Sequence, residues 1–214
     1  MSKALDSQRT YALIGTGGCG KTSLAEMLLF QSGVINRLGA IEEGTTTLDY
    51  EPEEIKRRGS IQPGFATFLW NKDRHFLMDV PGDTNFTGDL PYLLMGVDAA
   101  VLVIDAVDGV RPLTRRIWNA VREAGLPSFV FINKMDLPGP GKEALLSQLS
   151  HRLGDGFVDF GAEQAERDEA LALCDERLME KMLDAGSLTA EDIFIVAAGD
   201  VDVGKDLIVR FPVD

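Results

Sequence analysis

Residues 15–22 spell Gly-x-x-x-x-Gly-Lys-Thr and stand directly after an apolar run at residues 11–14. Glycines in such a loop let backbone N–H groups approach a phosphate, and a helix that begins at Lys21 adds the positive end of its dipole. The Lys21 ammonium can reach the β- and γ-phosphates of a nucleotide, and the Thr22 hydroxyl can ligate Mg²⁺. A plain glycine-rich turn, the alternative, would explain neither side chain. The pattern therefore predicts a nucleotide-binding set that consists of Gly15, Thr16, Gly17, Gly18, Cys19, Gly20, Lys21, Thr22 and Ser23.

A second motif, Asn133-Lys134-Met135-Asp136, follows another apolar run at residues 129–132. The Asp136 carboxylate can accept from the ring N1–H and the exocyclic amine of guanine, two donors that adenine does not offer together. The Lys134 stem would pack along the base, and Asn133 would tie this strand end to the phosphate-binding loop. The motif therefore predicts a site that is specific for guanine.

A third motif, Asp79-x-Pro-Gly, stands at the predicted end of a strand. The Asp79 carboxylate suits a role in holding Mg²⁺ through water, and the backbone N–H of Gly82 can serve the γ-phosphate while the glycine pivots the following loop. Alone, this sequence is simply a turn. Its spacing from the other two motifs favours the metal-binding interpretation.

Cys19 lies inside the first motif, beside Lys21 at a predicted helix N-terminus. A thiolate is stabilised in such a place, so the pKa of Cys19 is expected to fall. The alternative is that Cys19 is a small side chain that fits a tight loop, with no redox role.

Apolar periodicity and turn signals predict an α/β fold in which strands alternate with helices, so that a mostly parallel sheet is covered on both faces. Pro63 indicates that the second strand starts at an edge of the sheet. Residues 39–60 have no sustained period and are expected to form a long mobile loop. The strands are expected at residues 10–15, 61–70, 74–80, 99–105, 128–132 and 193–197, and the helices at 21–31, 112–125, 142–153 and 162–185.

Length and composition are those of one globular domain of 214 residues, with 45% apolar and 26% charged side chains. No apolar run approaches the roughly 18 residues of a membrane helix, and no signal-peptide pattern is present at the N-terminus. Two distant cysteines do not make a disulfide framework. These features predict a cytoplasmic protein, which we expect to be a monomer.

The net charge of −13 is uneven, because residues 155–192 contain twelve acidic and three basic side chains. Such a chain has no general electrostatic attraction for nucleic acid, and no nucleic-acid-binding patch is evident. The acidic segment is expected to be a solvated face, with a basic protein partner as the alternative.

Together these motifs resemble the GTP-binding domain of translation elongation factor G, and its paralogues more closely than the main form. The resemblance covers nearly the whole chain and also includes residues 43–50, Glu-Gly-Thr-Thr-Thr-Leu-Asp-Tyr. It implies a P-loop NTPase G domain that binds GTP and GDP with Mg²⁺, hydrolyses GTP slowly when alone, and has the ribosome as partner. Thr22, Asp79 and Ser60 would hold the metal, since Ser60 aligns with the family's switch threonine. Ala197 and Ala198 are the best placement of the family motif behind the guanine.

The resemblance also implies how the chain is divided. Residues 1–137 and 193–214 would form the core of the G domain. Residues 138–192 would be a shortened form of the family's helical insert, which is implicated in contacts with the ribosomal stalk. The family's later domains are absent from this sequence, so this chain alone is not expected to translocate tRNA or mRNA.

Two departures from the family bear on catalysis and ion binding. The family places a histidine directly after the Asp-x-Pro-Gly turn, where it orients the attacking water, and this chain has Asp83. An anion there repels a transition state rich in negative charge. Gly18 stands where the family often has an acidic residue that helps to bind a monovalent cation. The implied catalytic set is Lys21, Ser60, Gly82 and Asp83.

Two other functions remain open from the sequence. One is a nucleotide-sensing interaction module without competent hydrolysis, which Asp83 supports. The other is the G domain of a release-factor or ribosomal-protection GTPase, because those proteins share the same motifs.

Overall fold

The computed structural model describes residues 8–83, 88–154, 157–173 and 176–188, together with the backbone of a short strand at residues 209–210. The strands are β1 (Gln8–Ile14), β2 (Gly64–Trp70), β3 (Asp73–Asp79), β4 (Ala99–Asp105), β5 (Ser128–Asn133) and β6 (Val209–Arg210). The helices are α1 (Lys21–Gln31), α2 (Pro52–Arg57), α3 (Leu90–Leu94), α4 (Pro112–Glu123), α5 (Lys142–Leu153), α6 (Gln164–Ala172) and α7 (Glu176–Ala185).

The six strands form one sheet in the order β2-β3-β1-β4-β5-β6. Only the β2–β3 pair is antiparallel. The register pairs Leu13 with Asp79 and Asp105 with Asn133. The carboxyl ends of β1, β3, β4 and β5 therefore lie along one edge, which is where open parallel sheets bind their ligands.

Apolar side chains fill both faces of the sheet. Alternation along β1 sends Ala12 and Ile14 to one face and Leu13 to the other. The first face packs against α3, α4 and α5, with Trp118 2% exposed. The second packs against α1 through Ala25. The predicted α/β fold, with a mostly parallel sheet and helices on both faces, is confirmed.

A separate small core lies in the acidic segment. Its buried side chains are Val158, Leu171, Leu178 and Leu188. Asp168 in α6 is 1% exposed and accepts a hydrogen bond of 3.0 Å from the Leu188 N–H. A buried carboxylate bonded to backbone N–H groups fixes the chain segments that carry them, so Asp168 ties α6 to the residues beyond α7.

Two of the predicted segments differ in the structure. The predicted loop at residues 39–60 contains α2, which has Pro52 at its first position and a capping box formed by Glu51 and Glu54. The helix predicted at residues 162–185 is instead two helices, α6 and α7. The strand predicted at residues 193–197 lies outside the described residues. β2 is an edge strand, as Pro63 indicated. Across the described residues, every helix is too short or too polar to cross a membrane.

Candidate functional site

The loop between β1 and α1 folds around the side chain of Lys21. Lys21 is 6% exposed, and its Nζ donates to the carbonyl oxygens of Gly15 at 3.2 Å and of Thr16 at 3.0 Å. A buried ammonium whose hydrogen bonds go to neutral acceptors has its charge incompletely compensated. The loop therefore offers an anion a buried cation and the N-terminus of α1 together.

The same loop is joined to the end of β5. Asn133 Nδ2 donates to the Cys19 carbonyl oxygen at 3.0 Å. Gly20 has a φ of +96°, and a Cβ at this position would collide with Asn133 Nδ2. Glycine at position 20 is thus required both by the backbone conformation and by the close approach of the amide.

Lys134 bridges the two motifs from the other side. Its Nζ lies 2.7 Å from Asp105 Oδ2 and 2.7 Å from the carbonyl oxygen of Gly18. Burial opposes ionisation of Asp105, but hydrogen bonds from Lys134 and from the N–H groups of Val107 and Asp108 outweigh it, so the pKa of Asp105 is lowered. An ionised Asp105 therefore fixes the Lys134 stem beside the loop.

The sequence motifs did not point to Asp105, although its position at the end of the strand next to β5 could have indicated it. Asp136 is exposed just beyond Lys134. Its carboxylate therefore faces solvent at the rim of the site.

A cluster of oxygen atoms lies beside the start of α1. Thr22 Oγ1 donates to Asp79 Oδ2 at 2.6 Å, and the hydroxyls of Thr22 and Ser60 are 3.3 Å apart. Asp79 is 1% exposed, and its second oxygen, Oδ1, is buried without a hydrogen-bond partner. Burial raises the pKa of Asp79 to about 6. The structure thus brings together the three side chains that the sequence predicted as metal ligands.

Asp49 belongs to the same cluster and was not singled out by the sequence. It is 4% exposed, its Oδ2 is buried without a partner, and it forms a hydrogen bond with Ser60. Burial raises the pKa of Asp49, and the hydrogen bond from Ser60 opposes that effect. Asp49 lies in the part of the chain without periodicity, so only the motif at residues 43–50 pointed to it.

Negative charge predominates in this part of the site. Four carboxylates there are buried to 4% exposure or less: Glu26, Asp49, Glu54 and Asp79. Lys21 is the only lysine or arginine among the described residues that is buried to a similar degree. A group of buried anions with one cation favours the binding of an additional cation.

The turn after β3 lies directly on the phosphate-binding loop. A Cβ at Gly82 would lie 2.5 Å from Lys21 Nζ and 2.6 Å from Gly17 N. No other residue type fits without moving the loop. The next residue, Asp83, places its Oδ2 3.4 Å from Nη2 of Arg57 in α2, with both side chains partly exposed. The Asp83 carboxylate, which stands where the family has a histidine, therefore lies near Arg57 of α2.

The expectation for Cys19 is wrong. Its side chain is 1% exposed, and burial raises the pKa of the thiol although Lys21 Nζ lies 4.0 Å from Sγ. Desolvation of the thiolate outweighs the nearby charge. Cys19 is a small buried side chain in a tight loop, which was the alternative. Ser23 is exposed on α1, and Ala197 and Ala198 lie outside the described residues.

A glycine-rich loop between a strand and a helix, joined to the Asn-Lys-Met-Asp motif at the carboxyl edge of a mostly parallel sheet, is typical of a nucleotide-binding domain. Residues 6–201 match the family described as the elongation factor Tu GTP binding domain, and the chain belongs to that family.

Individual relatives agree with this assignment. The chain is 34% identical over 148 residues to the mitochondrial ribosome-releasing factor 2 of Debaryomyces hansenii, covering 69% of the chain and 17% of the relative. It is 29% identical over 235 residues to elongation factor G 1 of Treponema denticola, covering 95% of the chain and 34% of the relative. A crystal structure of a Thermus thermophilus protein superimposes with a TM-score of 0.80 at 31% identity, covering 95% of this chain and 37% of that one. The chain thus spans about a sixth to a third of these curated relatives' length.

Proposed function

We propose that this chain binds GTP and GDP with Mg²⁺ and hydrolyses GTP slowly on its own, as the nucleotide-switch domain of an elongation factor G-like ribosomal factor. We place it in the cytoplasm as a monomer, with the ribosome as its partner. The observation that carries the proposal is the direct joining of the phosphate-binding loop to the guanine-type motif. Asn133 and Lys134 each donate to a carbonyl of that loop, at 3.0 Å and 2.7 Å.

Recognition of the nucleotide divides between the two joined motifs. Lys21 and the N–H groups at the start of α1 would bind the phosphates. Lys134, fixed by Asp105, would lie along the base, and the exposed Asp136 would accept from guanine N1–H and the exocyclic amine. The same residues would hold GTP and GDP, because neither motif depends on the γ-phosphate.

The residues present fit Mg²⁺. Oxygen ligands are what this ion prefers, and the buried, unpartnered Oδ1 of Asp79 lies in a cluster with the Thr22 and Ser60 hydroxyls. Among the described residues no group of three or more His, Cys, Asp or Glu side chains could hold a metal ion by itself. Phosphate oxygens would therefore complete the coordination. When bound, the ion neutralises charge on the β- and γ-phosphates.

Hydrolysis would rest on groups that surround the γ-phosphate. Lys21 would stabilise its developing charge, the Gly82 N–H would bind one of its oxygens, and Ser60 would hold the metal. Asp83 places a carboxylate beside Gly82, and its partly exposed pairing with Arg57 is screened by solvent. We therefore expect slow turnover.

A module that senses nucleotide without hydrolysis is the second candidate, and Asp83 is the observation that favours it. The G domain of a release-factor type GTPase is a third, favoured by the similarity to the ribosome-releasing factor. Phosphate release measured with and without ribosomes separates the first two, because a pure sensor releases none in either case.

The experiment that tests the main proposal is competition calorimetry with GDP and ADP in the presence and absence of Mg²⁺. We expect GDP to bind far more tightly than ADP, and Mg²⁺ to strengthen its binding. Equal affinities for GDP and ADP would refute the guanine site.

A further inference from the structure

The two lysines of the candidate site differ in how their charges are compensated. Lys21 Nζ donates to two carbonyl oxygens and to the Cys19 sulfur, all neutral acceptors. Lys134 Nζ instead lies 2.7 Å from Oδ2 of Asp105, whose side chain is only 9% exposed. A carboxylate this close cancels most of the field that an ammonium exerts at longer range. Lys134 therefore brings little net charge to bound phosphates, although it lies beside the loop that would bind them.

The backbone of Lys134 is held in an uncommon conformation. Its φ of +62° lies in the left-handed region, which a lysine rarely adopts. The Lys134 N–H donates to Asn133 Oδ1 at 2.9 Å, and Nζ reaches both Asp105 Oδ2 and the Gly18 carbonyl oxygen at 2.7 Å. Such conformations persist where surrounding contacts determine them, and they cluster at functional sites. The Lys134 stem is therefore fixed at both of its ends.

Asp105 is itself fixed by the turn that follows β4. Its Oδ1 accepts from the N–H groups of Val107 at 2.9 Å and of Asp108 at 3.3 Å. Its backbone carbonyl oxygen accepts from the Gly109 N–H at 2.8 Å. A carboxylate with one oxygen bonded to a turn presents its other oxygen in a fixed direction. That second oxygen is the one that contacts Lys134, so the turn determines where the Lys134 ammonium lies.

We propose that Asp105 is a positioning residue for guanine recognition, which holds Lys134 in a neutral ion pair so that its stem packs on the base and Lys21 supplies the charge for the phosphates. Asp105 acts through Lys134, and the inference rests on the proposed function for the identity of the ligand. An unpaired Lys134 ammonium would instead attract the phosphates and leave the face of the base. The ion pair thus separates the part of the site that binds the base from the part that binds the phosphates.

Calorimetry of GDP binding at low and at high salt tests the charge balance of this pair. Asp105→Asn leaves an unpaired cation at Lys134, so the affinity should fall more steeply with salt than in the unaltered chain. Lys134→Met keeps an unbranched stem but leaves an unpaired anion at Asp105, so the affinity should fall less steeply. The double variant is neutral again and should regain the salt dependence of the unaltered chain. A purely structural role of Asp105 would lower the affinity without changing its dependence on salt.

The affinities at high salt test the positioning. We expect Asp105→Asn to weaken GDP binding by about tenfold, the order expected for loss of one charge-assisted hydrogen bond. In the Lys134→Met background the same change should have little further effect, because a positioning residue acts only through the side chain that it holds. Asp108→Asn is the matched control, because the Asp108 side chain lies in the same turn but pairs with Arg111. It should leave the affinity and its salt dependence unchanged.

Equal salt dependence in all four proteins, or additive losses of affinity in the double variant, would overturn the proposal. If Asp105→Asn does not fold, Lys134→Met compared with the unaltered chain decides the question by its salt dependence.

Acylation of Lys134 in the nucleotide-free protein, followed by mass spectrometry, separates failure of this inference from failure of the proposed function. Asp105→Asn should increase the acylation of Lys134, and Asp108→Asn should not. Absence of GDP binding by the unaltered chain would refute the proposed function, while acylation still reports the ion pair. Intact GDP binding with unchanged salt dependence in Asp105→Asn would reject only the inference.

Discussion

At the residue scale, the candidate site is defined by charges that burial leaves uncompensated. Lys21 donates to two carbonyl oxygens and to the Cys19 sulfur, all neutral acceptors, and Asp79 and Asp49 each keep one buried oxygen without a partner. A folded protein retains such groups when a ligand uses them. Their arrangement, with a cation next to an excess of anions, matches a phosphate together with its metal ion.

The specificity for guanine should depend on the carboxylate of Asp136. Asp136→Asn offers an amide donor where the carboxylate offered an acceptor, so we expect GDP affinity to fall and affinity for xanthosine diphosphate to rise. Calorimetric titration of both nucleotides checks this. A variant that still prefers GDP to the same degree would place the base elsewhere.

The buried carboxylate of Asp79 should make the stability of the nucleotide-free protein depend on pH. Its folded pKa, about 6, is above the ordinary value of 3.8, so folding favours the protonated form. The stability that this gives is present below about pH 4 and is lost as pH rises through 6. Asp79→Asn should therefore stabilise the metal-free protein at pH 8 by up to about 3 kcal/mol, and much less at pH 4.

Denaturant unfolding in the presence of a chelator, at both pH values, measures this difference. The Asp79→Asn variant retains an acceptor for the Thr22 hydroxyl, which limits other effects of the change. The same stability change at both pH values would show that ionisation of Asp79 is not its cause.

At the element scale, the site depends on where strands end. The carboxyl ends of β1, β3, β4 and β5 share one edge, and the three motifs extend from three of them. This much follows from the sequence, because apolar runs mark buried strands and parallel strands end at the same edge.

The rest of the site could not be predicted from periodicity. Helix α2 has only six residues, too few for an apolar period, and its stability comes from Pro52 and the capping box. Hydrogen bonds with residues 39–62 give Asp49, Glu26 and Glu54 their roles. Such contacts depend on the folded path of the chain. The raised pKa of Cys19 was missed for a related reason, since burial depth is a tertiary property.

The tight junction between loop and β5 should be sensitive to a single methyl group. Gly20→Ala adds a Cβ that meets the Asn133 amide and forces an L residue to adopt a φ of +96°. We expect strongly weakened GDP binding with a fold that is largely intact, as measured by calorimetry and circular dichroism. Gly33→Ala is the control, because its φ is also positive, at +75°, but no atom lies within 4 Å of the added Cβ. Equal losses from the two variants would mean that strain, and not the Asn133 contact, is responsible.

At the scale of the whole molecule, the negative charge of the chain opposes binding to its proposed partner, the ribosome. The net charge is −13, whereas ribosomal RNA is a polyanion that repels it. The chain spans only part of the length of its relatives. Productive contact with a ribosome would therefore depend on shape and on additional domains. The nucleotide switch itself would depend mainly on the geometry around the γ-phosphate.

We expect Asp83 to be the residue that limits turnover. A histidine in its place could orient water as a neutral donor or stabilise charge as a cation, whereas an ionised aspartate repels the γ-phosphate. The unaltered domain should then hydrolyse GTP well below about one turnover per second, the lower end of typical enzymes. Asp83→His should raise ribosome-stimulated phosphate release when the remaining domains are supplied.

Asp83→Asn separates the two causes, because it removes the negative charge without supplying a histidine. If repulsion dominates, Asp83→Asn should raise the intrinsic rate of the isolated domain as much as Asp83→His does. If orientation of water dominates, only histidine should help, and only with ribosomes. Asp83→His also removes the carboxylate that contacts Arg57 at 3.4 Å, and Asp83→Asn takes the charge from that contact, so Arg57→Gln serves as the control for its loss. An ordinary enzymatic rate in the unaltered domain would show that another residue positions the water, and that Asp83 does not limit hydrolysis.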